Sequence, residues 1–189
     1  MEVVLLLPEM SPEIVTLYRY FAYAAHMRSL FRKEFNPEWK ELVETDIAGL
    51  LFFLFSPATL YLMYSYSGIY LVIEGWQELK LTDPKIDELL DSPFVDRLRR
   101  FRNATFHFQK QPLSPKHFQF FGTEEEATEK WLNKLYAEFE RFFRENTIPV
   151  PEPLQGSFND KSFLELTKLM RNHFKDIEEL RALFTPRDI

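Results

Sequence analysis

The sequence predicts an all-α bundle, and three observations carry that prediction. Apolar residues recur at steps of three and four, six prolines follow residues that favour helix caps, and no segment offers a pair of strands. Only Val3 to Leu7 is strand-like, and it has no strand partner. The chain has 189 residues, of which 46% are hydrophobic, enough for one core without disulfide staples. We therefore expect a single domain over 1–189, with its core at about 12–146.

The elements follow in order from their caps. Ser11-Pro12, Asn36-Pro37, Ser56-Pro57, Asp83-Pro84, Ser92-Pro93 and Ser114-Pro115 each place an acceptor side chain before a proline. The side chain takes a bond from an orphan N–H, and proline at the first helical position loses nothing by lacking its own. The spacing of Ile14, Leu17, Phe21 and Ala25 predicts a helix over 12–34, and further helices follow at 37–55, 57–81, 84–91 and 93–109. Thr123 and Glu126 form a capping box opening a helix at 123–146, where Trp131, Leu135, Phe139 and Phe142 keep the helical period. Pro149, Pro151 and Pro153 make 147–156 an extended connector. Beyond it, Phe163, Leu166, Met170, Phe174, Ile177 and Phe184 predict an additional C-terminal helix at about 160–184.

The 27 residues from Ile47 to Ile73 carry no charge and no histidine, long enough to raise a membrane span. Ser56-Pro57 and four tyrosines interrupt them, so we read two core helices meeting at that proline. The expectation is a soluble, cytoplasmic protein with no membrane partner. A membrane-associated protein remains the alternative if 47–73 is one exposed span.

Composition removes several chemistries. Without cysteine there is no disulfide framework, thiolate metal site or cysteine nucleophile. The five glycines are scattered, so no glycine-rich phosphate loop exists. No metal-ligand spacing and no Gly-x-Ser-x-Gly elbow occur, and we expect neither a metal nor a cofactor. The net charge of −6 argues against a general polyanion binder.

Charge is nevertheless uneven. Arg97, Arg99, Arg100, Arg102, Lys110 and Lys116 lie between Arg97 and Thr123 with no acidic residue among them, leaving −12 for the rest. Such an island reads either as a phosphate footprint or as cations paired with the acidic remainder. On the helix at 93–109, Phe94, Leu98, Phe101, Thr105 and Phe108 share a side and are expected to face the core. Arg99, Asn103 and His107 line the opposite side, with Arg102 on a flank. Val95 and Phe106 form a second apolar strip suited to a symmetric partner surface. A histidine beside a guanidinium suits phosphodiester cleavage, one moving protons and the other holding the phosphate.

The run from Leu98 to His107, LRRFRNATFH, resembles the signature of the HEPN superfamily, helical nucleotide-binding domains of prokaryotes and higher eukaryotes. That signature is an arginine, an adjacent polar residue and a histidine four to six residues later, near the end of a bundle helix. Arg102, Asn103 and His107 occupy its three places. The flanking IEGWQEL at 73–79 and FHFQ at 106–109 are similar to small standalone members. The motif covers about ten residues, and the helical organisation extends the similarity over about 12–146.

The resemblance implies an up-and-down helical bundle that pairs as a homodimer, with two Arg/His helices meeting in a composite cleft. It implies a metal-independent endoribonuclease acting on RNA phosphodiesters, with Arg102, Asn103 and His107 catalytic. Glu74 is the candidate acidic partner from a neighbouring helix, beside Gly75 where backbones can approach closely. Arg99, Lys110, Lys116 and His117 are the candidate RNA or phosphate contacts. The chain departs from the toxin subgroup by having Gln109 where that subgroup carries tyrosine. It has no nucleotidyltransferase-like segment, so any antitoxin is expected to be a separate chain. The second reading is a non-catalytic HEPN-like module that binds RNA, nucleotide or protein through the same groove.

Overall fold

Serine and aspartate caps set where the helices begin. The computed structural model describes residues 11–35, 52, 54–110, 114–121 and 125–146. Six helices lie among them: α1 (Pro12–Glu34), α2 (Pro57–Glu78), α3 (Pro84–Leu90), α4 (Phe94–Phe106), α5 (Pro115–Phe121) and α6 (Glu125–Glu145), with no strand among the described residues. Ser11 Oγ accepts from the Ile14 amide and Ser56 Oγ from the Thr59 amide. Asp83 Oδ1 accepts from the amides of Lys85 and Ile86. Ser92 Oγ takes the Phe94 amide and Ser114 Oγ the Lys116 amide. Four of the six cap–proline pairs thus open helices as their chemistry demands, whereas at Ser92-Pro93 the helix begins one residue later, at Phe94, with Pro93 at its N-cap. The sixth, Asn36-Pro37, lies outside the described residues, as do most of the helix expected at 37–55, Thr123 of the capping box, the connector, the helix at about 160–184 and Val3–Leu7.

Ser114-Pro115 signals a start, and its helix α5 is the element missing from the expected order. It runs for seven residues, too short for a clear period. At α2 the predicted end at residue 81 comes three residues early. The Lys80 amide bonds the Gln77 carbonyl and the Leu81 amide bonds the Trp76 carbonyl, a Schellman stop with Lys80 at φ 52°.

α1 and α2 run antiparallel in tight contact. A Cβ at Gly68 would sit 3.0 Å from Ala24 Cβ, and one at Gly75 would sit 2.6 Å from Leu17 Cδ1. Seven residues separate the pair on each helix, in opposite directions, so both glycines hold one seam. α4 is antiparallel to α2 in turn, with Tyr66 edge-on to Phe101 and Tyr64 edge-on to Phe106. α6 closes the bundle. Phe21 meets Tyr136, Phe139 and Phe143, while Trp76 meets Phe139 and Phe142.

Buried polar groups are tied into this packing. The Tyr136 hydroxyl, fully buried and pushed up to about 12 in pKa by that burial, bonds Ser65 Oγ at 2.8 Å and the Ser65 carbonyl at 3.0 Å. Arg28 donates to Asn133 Oδ1 and lies 4.5 Å over the Tyr136 ring. Trp131 Nε1 donates to the Leu89 carbonyl and Trp76 Nε1 to Asp87, fixing the short α3 against its neighbours.

Within the uncharged stretch α2 begins at Ser56-Pro57, and most of what precedes that point lies outside the described residues. No helix among the described residues is long and apolar enough to cross a membrane. Buried Tyr66, Ile69, Val72, Ile73 and Trp76 of α2 instead enter the common core.

Candidate functional site

The outer end of α4 brings the motif residues against α2. Leu98, Phe101 and Ala104 face the core, so α4 presents Arg99, Arg102 and Asn103 away from it. Arg102 Nη2 donates to Glu74 Oε1, joining residues 28 positions apart. The guanidinium also lies 5.0 Å from the centroid of the Tyr70 ring, one turn before Glu74 on α2. Burial raises the pKa of Tyr70, the Glu74 carboxylate adds to the rise, and Arg102 opposes it. Glu74, expected as the acidic partner, thus does meet Arg102.

His107 ends the helix rather than riding on it. Its amide bonds the Asn103 carbonyl at 3.0 Å, and its backbone is extended at φ −108°, ψ 138°. The ring is exposed and makes no side-chain hydrogen bond among the described residues. The Gln109 side-chain amide donates to the His107 carbonyl at 2.7 Å and steadies the exit. The expected continuation to residue 109 is therefore corrected. The backbone leaves helical geometry at His107, five residues before Pro112.

Two expectations fall with it. Phe108, read as a core anchor, is 92% exposed because the helix that would have turned it inward has ended. Arg99, Asn103 and His107 also do not form one helical row, since His107 sits at the cap. Arg99 is held instead by Asp96, with Nη2 at 2.6 Å and Nε at 3.0 Å from Oδ1.

The basic island is smaller than its sequence window suggested. Asp96 lies one residue before that window and pairs with both Arg99 and Arg100. Hydrogen bonding to Arg99 holds the Asp96 carboxyl below its usual range. Arg97 lies over the Phe94 ring at 5.1 Å. Lys110 and Lys116 are exposed. Local pairing with carboxylates thus accounts for three of the six cations.

His117, expected to contact phosphate, is instead a core residue. It is 8% exposed, sits 5.0 Å edge-on from Phe101, and its Nε2 has no hydrogen-bond partner. Burial lowers its pKa to about 4, so near neutral pH it carries no charge to offer an anion. The short helix α5, unseen in the sequence pattern, is what turns His117 inward.

The α1–α2 seam opens beside Glu74 into a groove of about 510 Å³. Leu17, Leu71 and Leu79 are among its apolar lining residues, and Glu13, Glu74 and Glu78 are its carboxylates. Sequence reasoning missed this groove because Pro12–Tyr20 and Leu71–Leu79 come together only through antiparallel packing. Glu74 therefore borders both the groove and the Arg102 contact.

Compared with known proteins, the chain matches no family model, no curated protein and no solved structure.

Proposed function

We propose that the chain is a HEPN-type metal-independent endoribonuclease, built on an up-and-down bundle and acting as a homodimer. The pairing of Arg102 with Glu74, five residues before an exposed His107 at the α4 terminus, carries this reading. Glu74 holds the guanidinium in place through Nη2; Nε is buried, and Nη1 is left as the donor for a phosphate. Asn103, on the same turn, orients the RNA.

The chemistry needs a base and an acid around one phosphate. A neutral imidazole takes the proton of the 2′-hydroxyl as its oxygen bonds phosphorus. A protonated imidazole then supplies a proton to the departing 5′ oxygen, leaving a cyclic phosphate. One copy supplies one His107, so two copies complete the pair. The Tyr64–Phe106 aromatic contact, with both rings 46% exposed, is the apolar seam for that dimer. Asp96, shared by Arg99 and Arg100, offsets part of their charge and lessens repulsion between facing α4 helices. An antitoxin on a separate chain, a toxin or phage-defence role and a cytoplasmic setting belong to the same reading.

The second reading, a non-catalytic module binding RNA, nucleotide or protein, is favoured by those same carboxylate pairings, which offset half of the charge of the four α4 arginines. Incubation with mixed RNA in chelator, beside His107→Ala, separates the two. Cleavage that persists in chelator and is lost in the variant is the expected outcome, and equal cleavage by both proteins refutes the enzyme. RNA affinity that falls with salt and with Arg102→Ala, without cleavage, selects the binding module.

A further inference from the structure

Phe108 is a large apolar side chain that the fold leaves almost wholly in water. It follows directly after His107, where the chain has left α4 in an extended conformation, and Lys110 is exposed two residues further on. Gln109 closes onto the His107 carbonyl, so the segment carrying the ring has a defined exit from the helix.

We propose that Phe108 is a stacking platform for an unpaired base of single-stranded RNA, with Lys110 meeting the adjoining phosphate. The inference rests on the reading of the α4 terminus as an RNA site and names the class of RNA it takes. Two residues of chain span at most about 7 Å, so ring and ammonium are close enough to meet the base and phosphate of neighbouring nucleotides. Every base offers a face to an aromatic ring, and only unpaired bases offer it freely, because a duplex keeps its bases stacked inside.

Charge decides against a second copy of the chain on this ring. Arg99, Arg100 and Arg102 of α4 carry carboxylate partners, whereas Lys110 makes no ion pair among the described residues. A symmetric contact through Phe108 would set the two Lys110 ammonium groups near each other, and a polyanion avoids that cost.

The test uses the full chain and a 2′-O-methyl uridine oligomer, which lacks the attacking hydroxyl and stays intact. An abasic oligomer of equal length and a blunt duplex are the comparisons, all at low salt. Phe108→Ala is expected to weaken oligomer binding by about 5- to 100-fold. Its affinity for the abasic strand and the duplex, its salt slope and its sedimentation are expected to stay unchanged, while Phe108→Trp retains tight binding. Unaltered oligomer affinity in Phe108→Ala, or an equal loss on the abasic strand, overturns the platform while leaving the RNA site standing. Loss of self-association in Phe108→Ala overturns it in favour of a contact between copies. Failure of the wild-type chain to bind any of the three RNAs overturns the platform together with the RNA site.

Discussion

Arg141 ties α6 to the loop that opens α3, and removing its side chain has an effect that the geometry sizes. Nη2 donates to both Asp83 oxygens at 2.8 and 2.7 Å, Nε to Glu138 at 2.6 Å and Nη1 to Glu145 at 2.6 Å. Exposed ion pairs contribute roughly 0.2–1 kcal/mol each. Asp83 and Glu138 are sheltered and belong at the upper end, while exposed Glu145 belongs at the lower. Arg141→Ala is therefore expected to cost about 2 kcal/mol, or roughly 4–8 °C in Tm for a chain of this length. Thermal unfolding followed by circular dichroism reads it directly.

The pH dependence has a definite sign. Burial alone raises the Asp83 pKa, but bonds from Arg141 and from the Ile86 and Lys85 amides outweigh it and leave it lowered. A lowered folded-state pKa adds stability that is complete above the unfolded value near ~3.9 and is lost as pH falls through the folded value. The Tm gap between wild type and Arg141→Ala is thus expected to narrow in acid. Asp83→Asn keeps a capping acceptor and removes the charge, so in a double-mutant cycle its cost should shrink once Arg141 is gone. No loss at neutral pH, or a gap of constant size into acid, refutes the assignment of this stability to the ion pairs.

Lys80 occupies the left-handed region at φ 52°, so Lys80→Gly is expected to stabilise by about 0.5–1 kcal/mol, read as a raised denaturant midpoint with unchanged slope. Tyr136→Phe removes the hydroxyl that bonds Ser65 and is expected to cost about 1–3 kcal/mol in urea unfolding, because Ser65 Oγ stays buried without that partner.

Helix starts were legible because they are local chemistry. A cap side chain and the proline after it act within three residues, so Ser11, Ser56 and Asp83 announce α1, α2 and α3 without knowledge of the rest. Helix stops were less legible. Lys80 ends α2 without a glycine, and the end of α4 at Phe106 removed Phe108 from the face its spacing assigned. Seven-residue α5 was too short for periodicity to reveal, and His117 was misread with it.

The sequence alone determined that this chain is helical, where most described helices begin, and which faces of α1 and α6 supply the core, because capping and periodicity are short-range. It also named Glu74 and Arg102. Tertiary structure decided what those residues meet: Glu74 reaches Arg102 because α2 and α4 run antiparallel, and it borders a groove because α1 closes on Gly75. It decided charge as well. Of six cations in one stretch of sequence, three become pairs with Asp96 and Glu74, and His117 in the same stretch is buried and neutral, since Coulomb energy and burial depend on distance in space.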